Sequence, residues 1–436
     1  MKRALTLALM ASLSACSMVP PYQRPAAPVP PSWPVGDAYL RQSETALPAV
    51  TYGDIFRDPR LQRIIEQALA NNRDLRLAAA NIAAAREQYR IQRANILPEV
   101  GANATYTEAD RGSGAGSGIG NAASGRRTTF SVQGGITAFE LDLFGRIRAL
   151  SEAAQNRYFA TEAGARATRL TLVGDIANAW FTYAADKDLL AIGERTVASA
   201  QRSVELTRAR LNGGIAPRTD LRQAEQTLEQ ARADVAQART DLAQDANLLQ
   251  LLVGAPVDPA LLPASLAEVT GSVAELPAGL DSTVLLRRPD VVQAEYQLRA
   301  ANAEIGAARA ELFPRISLTA VLGFASTALS SLFSGGNFNW SVSPQASYSI
   351  FQGGAARANV RLTQAQRDAA VAQYESAIQT AFREVADALA RRGTIDEQLR
   401  AQTAFFAAAE DNYRLSEARF RGGIDPFLDT LIAQRS

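Results

Sequence analysis

Phe338-Asn339-Trp340-Ser341-Val342-Ser343-Pro344-Gln345-Ala346-Ser347-Tyr348-Ser349-Ile350 is the stretch whose reading decides the fold. Apolar residues fall on every even position and Ser, Asn or Gln on nearly every odd one, a period of two that predicts a β-strand. An apolar row backed by a hydroxyl and amide row is the pattern of a membrane barrel, with lipid on one side and water on the other. The run is long enough for the ~9–11 residues of a tilted spanning strand. Trp340 and Tyr348 are placed to anchor it at the interfaces. A half-buried strand of a soluble sandwich gives the same alternation. No later stretch approaches the ~20 apolar residues of a spanning helix. Any crossing must therefore use a closed barrel, because an open sheet leaves backbone groups unpaired in lipid.

Outward from this strand, Ile316, Leu318, Ala320, Leu322 and Phe324 alternate in the same way, and a turn around Ser334-Gly335-Gly336-Asn337 joins the two runs into a hairpin over about 315–351. A second hairpin, about 99–143, carries Val100, Ala102, Ala104 and Tyr106, then Phe130, Val132, Ile136 and Ala138. The Gly/Ser/Ala loop between its strands lacks the G-x-G-x-x-G spacing and leads into a strand, so it is read as an exposed loop and not a phosphate cradle. Two hairpins make four strands, whereas the smallest known membrane barrels use about eight. A barrel built from this chain needs several copies.

The pairing of hairpins belongs to a wider duplication. Asp74 to Leu97-Pro98 matches Asp290 to Phe313-Pro314. Ala209-Arg210-Leu211-Asn212-Gly213-Gly214-Ile215-Ala216-Pro217 returns as Ala418-Arg419-Phe420-Arg421-Gly422-Gly423-Ile424-Asp425-Pro426. The repeat is roughly 200 residues, far longer than a solenoid period. The first copy is read as 58–260 and the second as 283–436. Helices fill both copies: no proline interrupts 99–216 or 345–425. A helix from Arg146 to Leu211 would reach about 100 Å at 1.5 Å per residue, so it must lie against other rods. Leu221, Ala224, Leu228, Ala231, Val235, Ala238 and Leu242 form a heptad seam, opposed by Leu190, Val197, Val204 and Leu211. Gly213, Gly214 and Pro217, and Gly422, Gly423 and Pro426, are then tight turns at the tips of helical hairpins, glycine stopping one helix and proline opening the next. By the turn offset the last helix reads as cut short.

The N-terminus adds an address. Met1-Lys2-Arg3, an apolar run from Ala4 to Leu13, and Leu13-Ser14-Ala15-Cys16 predict a signal peptide over 1–15 whose closing tetrapeptide is similar to a bacterial lipobox. Cys16 would carry lipid and begin the mature chain, with Ser17 favouring the outer membrane. Residues 16–57 contain Pro20, Pro21, Pro25, Pro28, Pro30, Pro31 and Pro34, which predicts an extended tether without a core.

Composition excludes other classes. Net charge is +1 with no basic stripe, which argues against nucleic acid. There is no histidine, so no Ser–His–Asp or Cys–His catalytic set can form, and nothing points to a metal or cofactor. Carboxylates such as Asp74, Asp220 and Asp290 sit at helix starts, where capping accounts for them.

Taken together, hairpin pairs, long rods, duplication and lipobox resemble the bacterial outer-membrane efflux factors, TolC-like proteins of the lipoprotein (NodT-type) branch. Leu285-Leu286-Arg287-Arg288-Pro289-Asp290-Val291, Phe139-Glu140-Leu141-Asp142-Leu143-Phe144-Gly145-Arg146 and the two Gly-Gly-Ile turns carry the resemblance. It implies a mainly α fold with a small β part, and a homotrimer whose strands close one twelve-stranded barrel in the outer membrane above a periplasmic helical barrel. It also implies a passive duct for drugs or other small exported molecules, gated at the periplasmic end. A periplasmic adaptor would dock at the hairpin tips and link the channel to an inner-membrane RND pump. Matching the gate segment puts Leu428 and Arg435 at family positions, while Ile432 stands where an acid is expected and Asp429 lies one turn earlier. A lipid-anchored coiled-coil adaptor without a pore is the opposing class, and the Phe338–Ile350 alternation discriminates against it.

Overall fold

The computed structural model describes residues 17–34, 51–111, 125–274, 282–425 and 427–436. Cys16, Pro426 and most of the glycine-rich loop lie outside the described residues. Tyr52–Ile55 (α1), Pro59–Asn71 (α2) and Arg73–Ala94 (α3) precede the strands Val100–Arg111 (β1) and Gly125–Glu140 (β2). Arg146–Asn212 (α4) and Arg218–Val253 (α5) complete the first copy, and the short Leu266–Val269 (α6) follows it. The second runs through Pro289–Ala310 (α7), Arg315–Ser326 (β3), Phe338–Ser347 (β4), Ala355–Arg421 (α8) and Phe427–Arg435 (α9). Equal lengths match the duplicated elements: α4 and α8 have 67 residues each, α3 and α7 have 22, and β1 and β3 have 12.

The chain divides into two compact units. The first comprises Met1–Ala26, Asn81–Ala163 and Val292–Ala377 and holds the strands. All neighbours are antiparallel, in the order β1-β2-β3-β4. Residues directly opposite one another share a face, and the register sorts the side chains cleanly. Tyr106↔Phe130, Val132↔Phe324, Leu322↔Trp340 and Ala320↔Val342 carry one apolar face across all four strands. Asn103↔Gln133, Thr105↔Ser131, Val321↔Ser341 and Thr319↔Ser343 carry the other, which is mostly polar. Every residue of β4 is exposed, on both faces. Neither β1 nor β4 has an outer neighbour among the described strands. Two details differ from the sequence reading. β4 ends at Ser347, which leaves Tyr348 and Ile350 exposed just past it. The register of β2 shifts between Ile136 and Phe139, with Ala138 at φ 51°, so its alternation breaks there. A bulge inserts an unpaired residue and bends the strand.

The proline-rich segment is extended, as its composition suggests, yet its start is fastened along α7 and does not hang as a free spacer. Asn302 Nδ2 donates to Pro20 O at 2.8 Å, and Arg24 clasps Glu295 through two bonds of 2.9 Å.

The second unit comprises Ala27–Ala80, Gly164–Val291 and Ile378–Ser436. Its larger core packs Leu61, Ile64, Ile65 and Ala68 of α2 against Ile176 and Trp180 of α4 and Leu249 and Val253 of α5. The Trp180 indole N–H donates to Leu261 O at 3.0 Å. Asn72 makes the break between α2 and α3: its amide donates to Leu252 O at 2.7 Å while its carbonyl accepts from Leu75 N. The predicted seam is buried at Leu221, Ala224, Leu228, Ala231 and Val235. Trp33 stacks on Phe382 with ring centres 5.0 Å apart, which fixes the later part of the proline-rich segment.

Between α4 and α5 lies a paired-carboxylate site. Burial, then the neighbouring Asp186 carboxyl, pushes the Asp245 carboxyl up to about 6, with Asp241 adding repulsion. A raised acid pKa means the folded chain disfavours the charged form, so this pair stabilises below the unfolded value and costs stability as pH rises through about 6. Asp245→Asn is expected to raise the melting temperature by a few degrees at pH 8 and to leave it unchanged at pH 4. Equal shifts at both pH values would show that the gain does not come from removing the buried Asp245 charge.

Candidate functional site

The residues that carry chemistry here are structural corners, hairpin tips and one short helix. Phe139–Arg146 turns the chain from β2 into α4. Glu140 holds Arg146 through bonds of 2.9 and 2.7 Å, and the Asp142 carboxylate accepts from the backbone of Ile147 and Arg148, capping the first turn of α4. Carboxylates there satisfy orphan N–H groups and the positive end of the helix dipole. Phe144 stacks on Phe313 at 4.7 Å. Leu285–Val291 does a comparable task at the start of α7: Arg288 bonds Asp290 at 3.1 and 2.7 Å and Glu384 of α8 at 2.9 Å. Both motifs set the direction of a helix, which is why they are rich in charge without forming a reaction centre.

Both glycine turns close alike. Ile215 N bonds Arg210 O at 3.0 Å and Ile424 N bonds Arg419 O at 2.9 Å, while Gly214 and Gly423 take φ 75° and 73°. Only glycine adopts that left-handed region without a Cβ penalty, so each turn ends its helix in a Schellman-type cap. The two tips come together in the second unit. Phe420 and Leu431 join Ala200, Val204, Leu221, Ala224 and Leu228 in one small core. The Arg210 guanidinium lies 4.6 Å over the Phe420 ring and reaches its carbonyl. Ser199 and Tyr413 hydroxyls meet at 3.2 Å. The Arg210–Phe420 contact was not legible beforehand, because its partners stand 210 residues apart.

The gate candidates sit on α9. Thr430, Leu431 and Ala433 are buried against the tip core, which turns Leu428, Asp429 and Ile432 outward. Leu428 is 47% and Ile432 57% exposed, one turn apart on the same side. Asp429 feels Arg419, whose guanidinium is engaged by Asp425. The Arg435 backbone closes α9, and its side chain is outside the described atoms. Trp340 lies on the apolar face of β4, 70% exposed. Among the described residues no helix is long and apolar enough to cross a membrane.

A family profile described as "outer membrane efflux protein" matches residues 64–255 and 280–436, in two blocks that follow the duplicated copies. The chain belongs to this family. It is 44% identical over 438 residues to the antibiotic efflux pump outer membrane protein ArpC of Pseudomonas putida, covering 100% of this chain and 90% of that one. It is 43% identical to the toluene efflux pump outer membrane protein TtgC of the same species, over the same shares. Among solved structures, the open-state MtrE outer membrane channel of Neisseria gonorrhoeae superimposes with a TM-score of 0.82 at 36% identity, covering 96% of this chain and 92% of MtrE. The family settles the class: an efflux channel of the outer membrane in a mainly helical, TolC-like fold, a transport component and not an enzyme. A pore-less adaptor is set aside.

Proposed function

We propose that three copies close one barrel and form a passive exit duct through the outer membrane. The sheet carries this reading. Its four strands present a continuous apolar face and a polar face, and two outer edges stay open among the described residues. Open edges cannot be left in lipid, and copies joined β4 to β1 would remove them. Cys16 supplies the lipid anchor, and Trp340 and Tyr348 sit at the interfaces. Gly213, Gly214 and Pro217, with Gly422, Gly423 and Pro426, form the tips that receive a periplasmic adaptor linked to an inner-membrane RND pump. Relatives named for antibiotic and toluene efflux support drugs or other small molecules as the export substrates.

The test is purification from outer-membrane fractions followed by planar-bilayer conductance. Discrete channel steps from a species of three chains are expected; a stable single chain without conductance overturns the duct. The gate is read as Leu428, Asp429 and Arg435 around the constriction. A ring of carboxylates selects and retains cations, so Asp429→Ala is expected to raise single-channel conductance and lower cation preference. Unchanged conductance removes Asp429 from the gate.

A further inference from the structure

The fastened N-terminal strap roofs a cavity of about 200 Å³ on α7 and α8, lined by Pro20, Tyr22, Asn302, Arg309, Gln364 and Arg367 among others. We propose that this cavity binds a phosphate-bearing anion, held by Arg309 and Arg367.

Two arginines line it with donors to spare. Arg309 reaches Met18 O at 3.5 Å, a weak contact, and has no carboxylate partner among the described residues. Arg367 pairs through Nη2 with the adjacent Asp368 at 3.1 Å, while its Nε is buried without a partner. A buried donor without a protein partner is available to an anion's oxygens, and the planar guanidinium fork matches phosphate oxygens better than any other side chain. Neighbouring carboxylates are already engaged. Glu295 is shared by Arg24, Arg299 and Tyr22, and Glu311 by Asn359 and Arg315.

The walls are held in place before any ligand arrives. Asn302 fixes Pro20, Arg24 is locked to Glu295, and Gly306 leaves room for Val19: a Cβ on Gly306 would stand 2.4 Å from a Val19 methyl. The volume is below the roughly 300–1,000 Å³ of pockets that take drug-sized ligands, so an export substrate is a poor occupant and a small anion a good one. Location suggests a source. Arg309 stands at the end of α7, six residues before Arg315 opens β3, which on the barrel proposed above lies close to where a bilayer places its headgroups. Basic pockets beside spanning segments hold lipid phosphates, and free phosphate offers the same oxygens.

The experiment uses the purified full-length protein. One arm measures thermal unfolding in inorganic phosphate against chloride at matched ionic strength. The other reconstitutes the protein in nanodiscs of mixed phosphatidylglycerol and phosphatidylcholine, then weighs retained lipid by native mass spectrometry. A phosphate-dependent rise of a few degrees without retained lipid identifies free phosphate. Retained phosphatidylglycerol identifies a headgroup, with or without that rise. In Arg309→Gln/Arg367→Gln, affinity is expected to fall at least about tenfold, the size of one lost charge-assisted bond. Arg90→Gln, at an exposed pair with Glu87, should change nothing. Neither effect in the wild-type protein overturns the proposal, whether or not the double variant folds. So does a folded double variant that keeps the wild-type response.

Discussion

Arginine in place of Val342 is expected to abolish recovery of assembled channel, whereas arginine in place of Ser341 is expected to leave assembly intact. Val342 stands mid-strand on β4, opposite Ala320 on the apolar face. A cation facing lipid near the midplane costs about 2–4 kcal/mol, and three copies would bear it together. In each chain that is a large share of the about 5–15 kcal/mol by which folded proteins are stable. Ser341, opposite Val321, lies on the other face. In the proposed barrel, arginine there places charge in the lumen, where it should shift ion preference towards anions. The measurements are recovery in outer-membrane fractions and reversal potential in bilayers. Equal recovery of both variants would mean that the apolar face does not meet lipid.

Trp180→Ala should be the most damaging single change in the second unit. Trp180 is fully buried, packs edge-on to Phe181, receives the Arg60 guanidinium and bonds Leu261 O. Truncating a buried aromatic of this size costs about 3–5 kcal/mol, from lost transfer energy and the cavity left behind. Trp180→Phe keeps most of the volume and loses the hydrogen bond, so about 1 kcal/mol is expected. Thermal unfolding in detergent should rank the pair in that order. Channels that do assemble from either variant should conduct normally, because this core supports the scaffold. A Phe variant as damaged as the Ala variant would shift the weight from packing to the Leu261 bond.

How much was readable beforehand follows from how local each signal is. The strands announce themselves because alternation is a property of neighbours: Arg315–Ser326 falls where its period places it, and Phe338–Ser347 starts there and stops three residues short of Ile350. The helix from Arg146 was likewise legible, from proline spacing. The bulge at Ala138 was not, since Thr137 and Ala138 continue the pattern in composition and depart from it only in backbone angle. The strap was missed for a different reason. Prolines speak for an extended path but say nothing of what lies beside it, and the partners Glu295 and Asn302 are more than 270 residues away. The corner motifs were seen through resemblance alone. Their charges become intelligible once Glu140 is found on Arg146 and Arg288 on Asp290 and Glu384.

The two open borders of the sheet also bear on inheritance. In the three-copy ring proposed above, each chain lends one border to the neighbour on either side, so a subunit that has lost one border still joins through the other and leaves the whole ring unclosed. Mixed in equal amounts with normal chains, it would leave only about one ring in eight free of it, given closed threefold symmetry. Loss of pairing at β1 or β4 should therefore behave as a dominant trait, whereas a chain that never folds at all should be recessive.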